Sequence, residues 1–278
     1  MEIIRITGCV ITHDEARNIE RCLRSMSFCD ELLVVDSRST DGTRELAAAL
    51  GARVIDRDWP GFRSQREFAI GAAHHDWILF LDADEELAPE GAALLCGLRD
   101  GGMLGGDAPG AARGYWLPRL NRYYGRFIRH GDWRSDRGLR LFDRRHARVA
   151  GREVHEHVEV RGPVASLDAR VLHDSYRNLD EQFAKLSKYA RLMAESWYRE
   201  GRRASLLACL VNPSWRFLRS FVLRLGFLDG WRGYVVALAE ARYVREKYLR
   251  LLVLDRTEGV SSTSSRPGPR PAADSVRR

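Results

Sequence analysis

Trp77-Ile78-Leu79-Phe80-Leu81-Asp82-Ala83-Asp84-Glu85-Glu86 is an apolar run that ends abruptly in charge. A run of this length bounded by acidic residues predicts a central strand of a parallel sheet, buried on both faces. In such sheets ligands bind beyond the carboxyl ends of the strands. Alternate residues of an extended chain point the same way, so Asp82 and Asp84 are predicted to converge on one cation. Carboxylate oxygens suit Mg²⁺ or Mn²⁺, commonly shared with a substrate phosphate. Taken alone, acidic residues after a strand also describe a solvated loop.

The chain upstream of this run alternates strand and helix patterns. Ile3 to Ile11 is β-rich, and Ala16 to Met26 carries Ile19, Leu23 and Met26 on one helical face. Glu31 to Asp36 is a short buried strand; Asp41-Gly42-Thr43 opens a helix through Leu50, with Gly51 in the C′ position. Val54-Ile55, Gln65 to Ala73 and Trp77 to Leu81 continue as strand, helix and strand. Repeated βα units predict an α/β fold with a mostly parallel sheet and helices on both faces. Asp100 to Gly114 is Gly/Ala-rich and predicts a mobile surface loop. Leu179, Phe183, Leu186, Ala190, Met193 and Trp197 mark the buried stripe of a helix ending near Arg203. Further helices are predicted over roughly 206–225 and 228–254, with Pro213 breaking the first. The tail from Thr257 predicts disorder. The expected units are 1–110 for the regular βα half, 111–178 for the irregular half of the same domain, 179–256 for C-terminal helices, and 257–278 for the tail.

A net charge of +7 and a pI near 9.4 favour anionic partners: nucleotide, nucleic acid or acidic lipid. The five cysteines include no C-x-x-C pair, which predicts free thiols and a reducing compartment. The N-terminus lacks the pattern of a signal peptide. No stretch reaches 18 uninterrupted apolar residues, so no spanning helix is expected.

Val34-Val35-Asp36-Ser37-Arg38-Ser39-Thr40-Asp41-Gly42-Thr43 joins a buried strand to a polar turn and a helix start. Asp36 there suits a hydrogen bond to ribose or base, while Asp41 suits helix capping. A dinucleotide dehydrogenase would carry G-x-G-x-x-G after its first strand; Thr12-His13-Asp14-Glu15-Ala16 stands there instead. Together with Asp82-Ala83-Asp84-Glu85, Trp59-Pro60-Gly61-Phe62 and Gln65, these motifs resemble the inverting family-2 glycosyltransferases. Within that family the chain is most similar to the branch of lipopolysaccharide core β-1,4-glucosyltransferases, densely over the first hundred residues and more loosely to about Leu254.

The resemblance implies a GT-A-like, Rossmann-related fold, a nucleotide-diphospho-sugar donor, and Mg²⁺ or Mn²⁺ at the D-x-D. It implies Asp84 as the direct metal ligand, with Asp82 beside it and nearer the donor ribose and sugar. Thr12, Glu15, Asp36 and Ser39 would then line the uridine pocket, with Gln65 and Arg66 near the donor. Two positions depart from the pattern. Ser37 stands where many relatives have a second Asp, and Glu67 where close relatives often have Asn.

Inversion needs a base to take the acceptor proton. Gly151-Arg152-Glu153-Val154-His155-Glu156-His157 holds the candidates, and a similar His-Glu pair in the resembled branch points to Glu156. An exposed strand is the alternative reading of this stretch. His155, His157 and His173 could instead suggest zinc, but no fourth ligand is evident. Arg137, Arg140, Arg144 and Arg145 read either as a solvated strand face or as guanidinium groups for a diphosphate. Tyr123, Tyr124 and Trp133 read as sugar platforms or as packing. From Leu206 to Leu228, Trp215, Phe217, Phe221 and Phe227 alternate with Arg216, Arg219 and Arg224. That pattern suits an anionic membrane surface or a packed helix with snorkelling arginines.

The expected activity is transfer of a hexose, glucose from UDP-glucose, to a glycolipid such as the lipopolysaccharide inner core. This places the protein in the cytoplasm, peripheral on the inner membrane, with no nucleic acid partner. A sugar-1-phosphate nucleotidyltransferase would want a Gly-rich basic loop after the first strand, and Thr12 to Ala16 is neither. A non-catalytic basic binding protein has no need of Asp36, Asp82 and Asp84 at successive strand ends.

Overall fold

The computed structural model describes residues 4–105, 110–134, 136–151, 157–174, 176 and 178–263. The first part runs β1 (Ile6–Thr12), α1 (Ala16–Ser25), β2 (Glu31–Asp36), α2 (Thr43–Ala49), β3 (Arg53–Asp56), α3 (Phe62–Ala72) and β4 (Trp77–Asp82). Next come β5 (Glu85–Leu87), α4 (Pro89–Asp100), β6 (Gly114–Tyr123), β7 (Arg126–Phe127), β8 (Arg137–Asp143), β9 (Ala147–Ala150), β10 (His157–Val160), β11 (Val164–Ser166) and β12 (Val171–Asp174). Three helices close the chain: α5 (Leu179–Arg199), α6 (Leu206–Leu218) and α7 (Trp231–Thr263).

The main sheet has the order β3-β2-β1-β4-β8-β6-β12-β5. β3, β2, β1 and β4 are parallel, as the βα alternation predicts, and β8 joins antiparallel to β4 and β6. The chain grows outward from β1 to β3 and then returns to place β4 on the other side of β1. That reversal is a topological switch, which opens a crevice at the carboxyl ends of β1 and β4.

Burial on both faces explains the near-continuous apolar strands. Val10, Leu79 and Leu81 pack with Ile19 and Leu23 of α1 on one side. Cys9, Ile11, Ile78 and Phe80 pack with Ala69 of α3 on the other. α2 ends as its sequence predicts: Gly51 has φ +80°, its N–H reaches the Ala48 carbonyl, and Ala52 N–H reaches that of Ala47. This is the Schellman arrangement, which needs a left-handed residue at Gly51. All five cysteines are free.

The structure corrects several expectations. Leu104 is buried in the core, and the Gly105 N–H donates to the Tyr115 hydroxyl at 3.0 Å, so the start of the Gly/Ala-rich loop packs inward. Pro213 lies inside α6 rather than breaking it. It cannot donate to the Cys209 carbonyl, but Asn212 and Ser214 side chains donate to the flanking carbonyls of Ala208 and Leu210. A π-helical turn (Arg219–Leu223) and a 3₁₀ turn (Gly226–Asp229) then link α6 to α7. α5 stops at Arg199, and α7 continues to Thr263, past the expected boundary. No proline stands between Leu254 and Pro267, so no proline stops the helix at Leu254.

Candidate active site

β1, β2 and β4 bring the predicted residues to one edge. Strand register sets Asp36 opposite Thr12 and Asp82 opposite Ile11. The loops after β1 and β2 are sewn together by their own polar groups. Asp36 is fully buried, and its two oxygens accept the Ser39 N–H at 2.8 Å and the Ser39 hydroxyl at 2.5 Å. Ser39 Oγ in turn accepts the Asp14 N–H at 2.8 Å, and Asp14 accepts the Thr40 N–H at 2.8 Å. Asp14 and Arg38 sit in the left-handed region, with φ +54° and +60°, a conformation these interlocking bonds stabilise. Asp41 accepts the first N–H of two helices, Ala16 of α1 and Thr43 of α2, at 2.9 and 3.1 Å, while Gly42 holds the N-cap position of α2 itself.

Gln65 is buried beneath this loop. It donates to Ser37 Oγ at 3.0 Å and accepts from Arg57 at 2.7 Å. Ser37, the departure from the family pattern, is therefore matched by a glutamine that holds it. Thr12 Oγ1 differs from its neighbours. It is buried at the carboxyl end of β1 and has no hydrogen-bond partner among the described residues. Glu15 accepts from Asn18 Nδ2 at 2.5 Å, and burial pushes its pKa up, helped by the nearby charge of Asp84.

Asp82 and Asp84 do not share one set of partners. β4 ends at Asp82 and the chain turns at Ala83-Asp84, so the alternation of an extended strand does not carry past Asp82. Asp82 Oδ1 accepts from Arg66 at 3.1 Å and Oδ2 from Arg140 at 3.0 Å. Burial alone would raise its pKa, but the Arg140 and Arg66 charges outweigh it and hold the carboxyl well below the usual range. Arg66 lies over the Phe80 ring at 4.3 Å, a cation–π seat that fixes its reach. Arg140 also binds the fully buried Glu85, and Arg119 donates to the same Oε1 at 3.1 Å.

Asp84 faces the opposite wall. Its Oδ2 is 3.3 Å from His173 Nε2 and 3.9 Å from Lys185 Nζ. Burial acts to raise this pKa as well, and His173 and Lys185 more than reverse it. His173 Nδ1 lies 2.7 Å from Asn121 Oδ1. That oxygen can accept a hydrogen bond from Nδ1, which leaves Nε2 as the ring nitrogen facing the Asp84 carboxylate. Oxygen and imidazole donors both suit Mn²⁺, and oxygen suits Mg²⁺. Among the described residues no group of three or more His, Cys, Asp or Glu side chains is gathered for a metal.

Glu156 and His155 lie outside the described residues; the hairpin strands β9 and β10 bracket them. His157 is exposed and 3.3 Å from Glu159, and His173 belongs to the Asp84 wall, so the described histidines form no zinc cluster. Nor do the arginines predicted to grip phosphate stand free: Arg144 donates to the Ile70 and Ala73 carbonyls at the end of α3, and Arg145 binds Asp143. Arg137 covers Trp116 at 5.1 Å. Tyr123 is buried and donates to Gln182 at 2.6 Å, and Trp133 Nε1 donates to Glu240 at 3.3 Å. These rings are joints between the sheet and the C-terminal helices. Asn121, Lys185 and Arg119 were not singled out from sequence at all, and Glu85 only as part of the motif after β4.

Fold and site together define an α/β enzyme whose ionised carboxylates gather at the carboxyl edge of a parallel half-sheet. Residues 8–97 match the model of glycosyl transferase family 2. The chain carries a family 2 glycosyltransferase domain and is a glycosyltransferase. It is 28% identical over 249 residues to the lipopolysaccharide core biosynthesis glycosyltransferase LpsC of Rhizobium meliloti, covering 86% of this chain and 88% of that protein. An uncharacterized glycosyltransferase of Rickettsia bellii is 28% identical over 270 residues, covering 90% and 87%. Among solved structures, glucosyl-3-phosphoglycerate synthase of Mycobacterium tuberculosis, in complex with Mn²⁺, UDP and phosphoglyceric acid, aligns with TM-score 0.47 and 20% identity over 73% of this chain and 80% of that one. Among the described residues no helix is long and apolar enough to cross a membrane.

Proposed function

We propose that the protein is a metal-dependent, inverting hexosyltransferase that moves glucose from UDP-glucose to a glycolipid, the inner core of lipopolysaccharide. It would act while peripheral on the cytoplasmic face of the inner membrane. The observation that carries the reading is the strand-end constellation: the unpartnered Thr12 oxygen beside buried Asp36, and the Asp84–His173 pair a short step away. The first suits a uracil or ribose group, and the second suits a cation shared with a diphosphate. The relative LpsC, whose name specifies lipopolysaccharide core biosynthesis, supports the acceptor.

In this reading residues 1–110 hold the donor, 111–178 supply the acceptor side and base, and 179–256 pack behind them. Asp84 and His173 would hold Mg²⁺ or Mn²⁺, which when bound neutralises charge on the departing diphosphate. Asp36 and Ser39 fix the loop that presents Thr12 and Glu15 to the nucleoside. Gln65 acts from beneath through Ser37. Arg66 and Arg140 keep Asp82 ionised and aimed, ready to accept from donor hydroxyls. Glu156 takes the proton of the acceptor hydroxyl as its oxygen attacks the anomeric carbon from the face opposite UDP.

The test is transfer from UDP-glucose to a core-truncated lipopolysaccharide acceptor, with the product's anomeric configuration read by NMR. A β-linked glucose that forms only with Mg²⁺ or Mn²⁺ is the expected product. An α-linkage would overturn inversion, and transfer in EDTA would overturn metal dependence.

A further inference from the structure

α6 is built inside out. Its sequence, Leu-Leu-Ala-Cys-Leu-Val-Asn-Pro-Ser-Trp-Arg-Phe-Leu, contains one charged residue, Arg216. That residue points inward, where Arg216 Nε meets Asp132 at 2.9 Å and Nη2 meets Glu240 at 2.7 Å. Cys209 and Pro213 share the buried side. The opposite half of the helix is apolar and faces out: Leu206, Leu207, Leu210, Val211, Trp215 and Leu218 are between 44% and 69% exposed. The surface continues through Leu223, Phe227, Leu228 and Trp231 into the start of α7. A helix in water places its charges outward and its leucines inward. Here the order is reversed over more than one element, so scattered surface leucines do not account for it.

The rim identifies what covers this face. At the rim Arg219 and Arg224 bind Asp132, which also holds the inward Arg216 and whose side chain is only 4% exposed. Even with Glu240 added, guanidiniums outnumber the carboxylates that face them. Arg126, Arg129 and Arg232 border a groove of about 630 Å³ beside Leu228 and Trp231, and the one carboxylate there, Asp229, is spent on His130 and its neighbouring N–H groups. Apolar side chains outward, arginines around them and acids withdrawn match a bilayer surface carrying anionic headgroups. A second copy of the same face would bring two arginine rims together, which charge opposes.

We infer that the outer face of α6, with the turns into α7, is a membrane-docking surface that seats in the headgroup region of an anionic bilayer. The site described above would then open toward lipid-borne acceptors. This last step rests on the glycolipid reading; the docking itself does not.

Co-sedimentation of the full chain with vesicles tests it, without nucleotide or acceptor. Vesicles of phosphatidylcholine with phosphatidylglycerol should retain the protein, and phosphatidylcholine alone should retain far less. Leu207→Glu and Leu210→Glu place a charge where the side chain is already in solvent, so the fold should survive, checked by circular dichroism. Each should lower vesicle affinity roughly tenfold. Arg126→Gln with Arg129→Gln should lower the preference for the anionic lipid. Failure of the parent to bind, or equal binding by the glutamate variants, overturns the inference. So does a parent dimer that the same variants convert to monomer without any vesicle binding, since the face would then join two copies. Loss of UDP binding with vesicle binding intact would count against the donor reading alone.

Discussion

The parallel half-sheet and α6 use the same residue types in opposite directions. In the sheet, Val10, Phe80 and Leu81 are fully buried, and the charges collect at one edge, on Asp36, Asp82 and Asp84. In α6 the leucines face out and the arginine is tied down inside. The contrast teaches where each region meets water. The sheet edge concentrates ionised groups where a polar ligand can replace solvent. The helix presents apolar area that water does not favour, so its working environment is something else. Donor chemistry and docking are thereby assigned to separate surfaces, and variants in one should leave the other untouched.

Glu156→Gln offers the largest effect: donor binding retained, and transfer reduced roughly 10²- to 10⁴-fold in a steady-state assay. Full transfer would move the base elsewhere. Asp84→Ala should abolish cation-dependent UDP binding and lower transfer about a thousandfold, while vesicle binding stays at the parent value. Joint loss of both would break the separation of the two surfaces. Arg140→Met strips Asp82 and the buried Glu85 of a shared partner, leaving Arg119 to Glu85. A loss of about 3 kcal/mol in urea denaturation is expected for such a broken buried pair.

Thr12→Val should leave stability unchanged, because the oxygen bonds nothing among the described residues. UDP affinity should fall about fivefold, the worth of one hydrogen bond. The smallest effect belongs to the helices. Lys247 lies 4.2 Å over Trp197, and burial, with Arg216 and Arg202 adding to it, lowers its pKa from 10.5 to about 8. The unfolded chain binds the proton more tightly than the folded one, so this lysine lets stability rise as pH climbs from about 8 to about 10.5. Lys247→Met should flatten that rise in thermal melts.

Much of the sheet edge was legible because its signals are local. Asp36 and Ser39 are three residues apart, Asp41 accepts the first N–H of the next helix, and Gly51 ends it in the conformation its type favours. The opposite wall was not. Asp84 and His173 are 89 residues apart and meet only because β12 runs back beside β5, while Lys185 arrives on a helix whose pattern speaks of burial alone. Asp82 and Asp84 keep different protein partners because the chain turns at Ala83-Asp84, where spacing in sequence presumes an extended strand. Arg140, Arg144 and Arg145 looked alike in sequence; only their neighbours distinguish an ion pair at Asp82 from a helix-end cap and a link to Asp143. Pro213 misled for a related reason, since the side chains that let the helix pass through it are visible only in place.

The central claim is that the strand ends of β1, β2 and β4 form a cation-dependent nucleotide-sugar site. Calorimetric titration with UDP-glucose, first with Mn²⁺ and then with EDTA, addresses it directly. Saturable binding with the cation, lost in EDTA and absent in Asp84→Ala, is the predicted result. Binding that ignores both the chelator and the substitution, or no binding of any uridine nucleotide, would contradict it.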